Sequence, residues 1–382
     1  MRERFPGIGP DWARFDGPAG TQMVDVAIDA MADFLRSGDN ANGHGLFAAS
    51  IASTELVDRS RHEVARLIGG DAGGIVFGAN MTTLTFAFTR ALARDWSPGD
   101  EIVGTRLDHD ANVTPWRRAA EDRGAVLRLA SFDGATGRID SEAVTSLIGP
   151  RTRWVAITGA SNALGTMPDL VPVVAAAREH GARVFVDGVH LVPHAGVDVR
   201  ELGCDAFVTS PYKWYGPHSG VLWLDEDLRA SVTPYKVRPA ADVAPERFET
   251  GTLSFEAVAG IGAAASFLLE TGIDQLSLSE AEVFAPLLAG LQSREQVTVH
   301  GPADRFDRTP TISFSMIDRH PDEIATHLAS RQVAVWSGSY YAVETMAALG
   351  LGDRGAVRAG VCAYTTTDDV DRLLAAVDEL AR

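Results

Sequence analysis

The sequence predicts an α/β protein: a large domain around a mostly parallel sheet of seven strands, followed by a smaller α+β C-terminal domain. Three observations carry this expectation. Between Ile75 and Leu224, short apolar runs alternate with amphipathic stretches, the pattern of strands covered by helices on both faces. After Phe255 that alternation stops and longer helical stretches take over. Finally, 382 residues exceed one small domain, so one large unit plus a smaller one is the natural division.

In chain order, the candidate strands of the large domain cover 74–77, 101–105, 125–129, 154–158, 184–187, 206–209 and 220–224. Each is apolar and of strand length, and helical patterns at 82–94, 113–122, 141–147 and 171–180 separate most of them. Beyond them, helices are expected at 255–270 and 279–292, strands near Val297, at 311–315 and at 333–336, and a last helix at 368–380. The large domain is assigned to 16–253, and the small one to 254–382 together with an arm at 1–15. In open α/β sheets the ligand crevice lies beyond the C-terminal strand ends, which is where reactive side chains are sought.

Composition excludes several classes. Hydrophobic residues make up 46% and charged residues 22%, a globular balance. The formal net charge of −17 argues against a nucleic-acid or anionic-membrane partner. The most apolar stretch, 257–269, has 13 residues, short of the roughly 20 a membrane span needs. The segment Met1-Arg-Glu-Arg-Phe-Pro6 has no apolar signal core, so a cytoplasmic location is expected. Two cysteines, Cys204 and Cys362, make neither a disulfide framework nor a thiolate metal cage.

Two strand ends carry candidate chemistry. Arg183-Val-Phe-Val-Asp187 ends an apolar run in a carboxylate, although an Asp there could equally cap a turn. Ala206-Phe-Val-Thr-Ser210-Pro-Tyr212-Lys213 ends another in a lysine set among Tyr212, Trp214 and Tyr215 and between two prolines. Burial would lower that lysine's pKa and yield a nucleophilic amine of the kind that forms Schiff bases. The spacing of 26 residues is about one strand–helix–strand step, so both groups could meet at adjacent strand ends. An amine with a carboxylate is the minimal equipment for pyridoxal 5′-phosphate, whose pyridine ring takes up electrons from a carbanion. Phe77-Gly-Ala-Asn80-Met81-Thr82-Thr83 follows a strand and opens a helix, a suitable phosphate cradle. Thr105-Arg-Leu-Asp108-His109-Asp110 also follows a strand, and His109 could lie flat against a ring.

The blocks Asp187-Gly-Val-His190, Ser210-Pro-Tyr-Lys213 with Tyr215-Gly-Pro217, Ser161-Asn162-Ala-Leu-Gly165-Thr166 and Phe248-Glu-Thr-Gly251-Thr252 occur in that family's order in the sense that they resemble the signature blocks of the class V aminotransferases. These are fold-type-I pyridoxal-phosphate enzymes, among them cysteine desulfurases, C–S lyases, kynureninase and isopenicillin epimerase. The likeness runs from Phe15-Asp-Gly-Pro18 to Val370-Asp-Arg-Leu373. It implies that Lys213 holds the cofactor and moves protons at the substrate α-carbon, that Asp187 pairs with the ring nitrogen, and that His109 stacks on the ring. It further implies that His190 and Asn162 serve the phenolic oxygen, and that Met81, Thr82 and Ser210 cradle the phosphate. Thr252 would reach the phosphate of a second subunit, implying a homodimer with a shared active site. Arg358 would grip a substrate α-carboxylate by a bidentate pair, and His44 would fall in the segment lining the substrate pocket.

The sequence also departs from the desulfurase pattern. Desulfurases carry a nucleophilic cysteine on a small-domain loop, where this chain reads Val335-Trp336-Ser-Gly-Ser-Tyr340-Tyr341, with Tyr341 at or near that place. Cys204 precedes a core strand and Cys362 is expected inside the strand after Arg358, both as small buried hydrophobes. Before the lysine, Tyr212 replaces the histidine usual in desulfurases and resembles kynureninase. The favoured activity is therefore β-elimination on a small amino acid at a sulfur-bearing Cβ, which needs no cysteine nucleophile. Transamination and epimerisation are the catalytic alternatives, and a non-catalytic relative is a third.

Other motifs fail their context. Pro193 breaks the helix that His190 and His194 would need as a zinc pair. Gly260-Ile-Gly262 has no preceding strand for dinucleotide binding. Asp108-His109-Asp110 alone supplies too few metal ligands, so no metal is expected.

Overall fold

The computed structural model describes residues 1–380. Its largest sheet contains β1 (Ile75–Gly78), β2 (Glu101–Thr105), β3 (Val126–Ala130), β4 (Thr152–Thr158), β5 (Arg183–Asp187), β6 (Ala206–Thr209) and β7 (Gly220–Leu224). The spatial order is β1-β7-β6-β5-β4-β2-β3. β7 runs antiparallel to both neighbours, and every other pair is parallel. The expected mostly parallel seven-stranded sheet is thus present. The central strands are apolar because both faces are covered: β5 through β7 are almost wholly buried.

This order brings the C-terminal ends of β4, β5 and β6 side by side, since Thr158 pairs with Asp187 and Asp187 with Val208. Helices α1 (Asp25–Arg36), α2 (Ala48–Leu67), α3 (Met81–Leu92) and α4 (Thr114–Glu121) precede or flank these strands. Asn80 starts α3 by accepting the Thr83 N–H at 2.8 Å, a side-chain cap that fixes where the helix opens relative to β1.

Helix α5 (Phe255–Thr271) is buried along most of its length and packs against α1 and α2. A Cβ on Gly262 would come within 2.6 Å of Ser60 Oγ, so this glycine permits close helix approach rather than nucleotide binding. Gly272, at φ 83°, ends α5 and opens α6 (Ile273–Gln292). The second helix therefore begins six residues before the expected start at 279, because Leu276 is already buried in the large core.

A four-stranded antiparallel sheet forms the second body: β8 (Val297–His300), β9 (Thr311–Met316), β10 (Trp336–Gly338) and β11 (Ala356–Gly360), in the order β10-β11-β9-β8. Its core joins Phe314, Ile312 and Val357 to Leu287 of α6 and Leu373 of the last helix, Thr367–Leu380. The single strand expected at 333–336 is two strands in different sheets. Val333–Ala334 pairs in parallel with Ala13–Arg14, and the chain then leaves that edge so that Trp336 can pair with Arg358.

Core membership argues against a boundary at 254. Ile261, Phe267 and Leu276 share the large core, and so does Phe5 of the arm, whereas Ala13, Phe15 and Phe284 share the small one. We propose that the division falls within α6 and within the arm. Among the described residues no single helix is long and apolar enough to cross a membrane. The pair α5–α6 reaches that length only across a 77° bend, with α5 buried in the core.

Candidate active site

A cavity of about 450 Å³ opens at the C-terminal ends of the large-sheet strands and is closed on one side by the small sheet and its loop. Lys213, Asp187, His109, Tyr212, Met81, Thr82, Asn162, His190, Arg358 and Tyr341 all line it. Ten side chains singled out from sequence are therefore gathered by the topology into one space.

Lys213 ends a single helical turn, Pro211–Lys213, just beyond β6. The turn is held by Trp214, whose indole N–H donates to Thr209 Oγ1 at 3.1 Å, and by the Tyr215 N–H, which donates to Thr21 Oγ1 at 3.0 Å. The amine is buried and donates to the carbonyls of Pro18 and Ala19 at 2.5 and 2.7 Å. Burial, and then the positive charge of Arg358, push its pKa well below the ordinary lysine value. The shift favours the nucleophilic, unprotonated form of the amine.

Asp187 is the last residue of β5 and is equally buried. One oxygen accepts the Val189 N–H at 3.0 Å. Burial pushes the carboxyl up to about 6, against the lowering effects of that bond and of Lys213. The residue after it cannot carry a side chain: a Cβ on Gly188 would lie 1.9 Å from the Phe207 ring.

His109 follows β2, its Nδ1 accepting the Ala111 N–H at 3.0 Å. Burial, Lys213 and Arg358 together hold its pKa down to about 3, so it presents a neutral aromatic face. His190 is lowered well below its ordinary value, first by burial and then by the same two cations. Beneath His109, Asp108 braces the loop by accepting from the Thr105 hydroxyl at 2.5 Å and from the Asn112 amide at 2.8 Å.

Arg358 comes from β11, across the cavity, and is buried without a carboxylate partner among the described residues. Its Nη1 donates to the Asn162 carbonyl at 2.9 Å, while the Asn162 amide donates to the Tyr340 carbonyl at 2.9 Å. A structural ion pair therefore does not account for this arginine.

Donors and unfilled acceptors match what a phosphorylated pyridine aldehyde needs. Met81 and Thr82 form the first turn of α3, where backbone N–H groups have no partner within the helix and favour an anion. Ser210 Oγ and Asn162 Oδ1 are buried without a hydrogen-bond partner, a state normally relieved by a ligand or water. With Lys213 and Asp187 beside them, the residues fit the cofactor.

Three expected residues do not line the cavity. Ser210, the residue after β6, is fully buried. Thr252 is exposed and lines a separate hollow with Phe77, His218 and Thr250. His44 is exposed on the loop before α2, where its own N–H donates to Thr54 Oγ1 and its neighbour Leu46 is 99% exposed. Both latter residues lie on outward-facing turns, so within one chain neither can act at Lys213.

The sequence reading missed Pro18 and Ala19, whose contribution is backbone carbonyls and leaves no side-chain signal. It also missed Tyr340, which faces Arg358, and the wall residues Phe86, Asp110 and Thr114. The Tyr340–Tyr341 pair had one available signal, adjacent aromatics in the loop where desulfurases carry their cysteine.

Tyr341, at φ 59° and 72% exposed, stands at the cavity mouth with its ring 5.6 Å from that of His109. Neither thiol lines the cavity. Cys362 lies beyond the end of β11 rather than within it, because β11 stops at Gly360 where the chain meets Pro18. Both cysteines are buried, which raises their pKa values. His190 and His194 lie on successive turns, not a helix, with His194 bonded to Glu280 at 2.7 Å. Among the described residues no group of side chains could hold a metal ion.

The family model for aminotransferase class-V matches residues 14–373. A cysteine desulfurase of Salmonella agona (strain SL483) is 32% identical, with 100% of this chain and 98% of the relative covered. The crystal structure of the cysteine desulfurase CsdA from Escherichia coli superposes with a TM-score of 0.90 at 26% identity, covering 100% of this chain and 97% of that one. A C-DES mutant with glycine covalently linked to its pyridoxal-phosphate cofactor shares the fold, with a TM-score of 0.85 at 20% identity over 98% of both chains.

Proposed function

Because the chain belongs to the class V aminotransferase family and is a pyridoxal-phosphate-dependent enzyme, we propose that it is a C–S lyase acting by β-elimination on an S-substituted cysteine. The observation that carries this reading is one cavity holding Lys213, Asp187, His109 and Arg358 with no thiol on its walls. In the overall reaction the thioether and one water give a thiol, pyruvate and ammonium. The Cβ–S and Cα–N bonds break, and no oxidant or amino acceptor is consumed.

When bound, the cofactor supplies an electron sink for the carbanion left at the substrate α-carbon. Lys213 would hold it, and the Lys213 amine would take the proton from the substrate α-carbon. Its lowered pKa favours the free base that such a proton transfer needs. Asp187 would offer its carboxylate to the ring nitrogen, and His109, kept neutral by burial, would offer an aromatic face. The first turn of α3 at Met81 and Thr82, with Ser210, would hold the phosphate. Arg358 would grip the α-carboxylate with its remaining N–H groups and so fix the orientation of the substrate α-carbon.

This reading includes a homodimer. Thr252 and His44 lie outside their own cavity, and Leu46 and Phe47 beside His44 are exposed apolar side chains, which supports a second copy covering that segment.

The test is product analysis with S-substituted cysteines and no amino acceptor. Stoichiometric thiol and pyruvate are expected. Transamination would leave the cofactor as its amine form, and epimerisation would exchange the α-hydrogen without net product; either result replaces elimination.

A further inference from the structure

Arg358 gives the cavity one charged wall, and a second wall carries the opposite sign. Asp110, on the turn after β2, lines the cavity with Thr114, Phe86, Trp336 and Tyr341. Its backbone is fixed to the aromatic loop, since the Asp110 N–H donates to the Tyr341 carbonyl at 2.7 Å. Both carboxylate oxygens share a single side-chain donor, the Thr114 hydroxyl, at 2.9 Å each. A carboxylate has about four acceptor positions, so one hydroxyl leaves most of its capacity unused. No Lys, Arg or His forms an ion pair with Asp110 among the described residues.

The Thr114 contact ties this turn to the start of α4 but does not explain a carboxylate on the cavity wall. The bracing of this loop already falls to Asp108, fully buried and bonded to Thr105 and Asn112. The neighbours of Asp110 are also informative. Trp336 and Tyr341 are 52% and 72% exposed, and aromatic faces beside a carboxylate suit a cation. The basic side chains of the cavity, Lys213 and Arg358, are committed to the Pro18, Ala19 and Asn162 carbonyls rather than to Asp110.

We propose that Asp110 selects the leaving group: the preferred substrate is a cysteine S-conjugate whose thiol portion ends in an ammonium or another cationic nitrogen. This inference rests on the C–S lyase reading for its substrate backbone. Arg358 takes the α-carboxylate, and Asp110, flanked by the rings of Trp336 and Tyr341, takes the far end. A substrate with one anionic and one cationic end then binds in a single orientation, because reversing it would set like charges together.

The experiment compares S-(2-aminoethyl)-L-cysteine with S-propyl-L-cysteine, nearly equal in size and differing in the terminal charge. Dissociation constants come from the spectral change of the bound cofactor, and kcat/KM from thiol release. The holoenzyme is expected to favour the amine-bearing conjugate roughly tenfold in both measures, the scale of one charge-assisted hydrogen bond. In Asp110→Asn that ratio is expected to fall toward one. Equal affinity for the two in the native chain, no binding of the amine-bearing one, or an unchanged ratio in the variant would overturn the proposal. Tighter binding of the aminoethyl conjugate without release of any thiol would sink the lyase reading and leave this one standing.

Discussion

Arg358 lies over the ring of Tyr340, its guanidinium carbon 4.5 Å from the ring centroid. The stack fixes the plane of the guanidinium, and one N–H is spent on the Asn162 carbonyl. The remaining N–H groups meet no carboxylate among the described residues, although burial holds the pKa down to about 10 and the group stays charged at neutral pH. A buried cation without a counter-ion is costly to the fold, and the proposed role supplies its partner, the carboxylate of the amino-acid substrate.

Arg358→Ala is accordingly expected to raise KM for the amino-acid substrate by about 10- to 100-fold, the loss of charge-assisted hydrogen bonds. Arg358→Lys should recover only part of this, since an ammonium can neither fork onto a carboxylate nor stack on Tyr340 as a plane. Steady-state kinetics on the three proteins check it, and full recovery by lysine would contradict the bidentate role.

The cysteines are expected to be dispensable. Cys204→Ala and Cys362→Ser should each keep thiol release within about threefold of the native rate, since neither thiol reaches the cavity and burial keeps both protonated. Mass spectrometry after turnover should find no added sulfur on either residue. Loss of activity in one variant, together with a persulfide on that residue, would make the enzyme a desulfurase.

Two buried carboxyls set a pH dependence for the cofactor-free protein. Burial raises Asp108 to about 8, with the charge of Asp187 adding to it, and raises Asp187 to about 6. The folded chain thus keeps protons that the unfolded chain releases near pH 4, and stability falls as pH rises, through about 6 for Asp187 and about 8 for Asp108. His109 and His190 act oppositely, because their lowered values add stability as pH rises toward the ordinary 6.5. Above pH 6.5, Asp108 is the one of these four still titrating. Relative to native, Asp108→Asn should gain roughly 2 kcal/mol between pH 6.5 and 8, measured by urea unfolding. Parallel curves over that interval would refute the assignment.

Gly188→Ala is expected to destabilise the fold by about 1–3 kcal/mol, because its methyl group would fall on the Phe207 ring. Thermal unfolding measures this. A concurrent loss of cofactor affinity is expected, since Asp187 is the adjacent residue.

Apolar runs bounded by turns made the seven strands readable, and strands at 101–105, 206–209 and 220–224 were located to the residue. Asp187 and Lys213 were legible for the same reason: each ends such a run, and the topology makes those ends neighbours. What the sequence concealed was pairing and packing. The run at 333–336 has the pattern of one strand whether it joins one sheet or two, and only the partners Ala13 and Arg358 decide. Helix α5 reads as the start of the second domain, yet its buried face belongs to the first core. Asp110 attracted notice only as part of a weak metal triplet, because nothing in sequence shows which loop residues face a cavity.

The most direct test of the account is the attachment site of the cofactor. The purified enzyme is loaded with pyridoxal 5′-phosphate, reduced with borohydride, digested, and its peptides sequenced by mass spectrometry. The account predicts a pyridoxyl group on Lys213 in stoichiometric amount, with loading weakened in Asp187→Ala. A group on Lys236, or none on any lysine of a protein that still turns over its substrate, would contradict it.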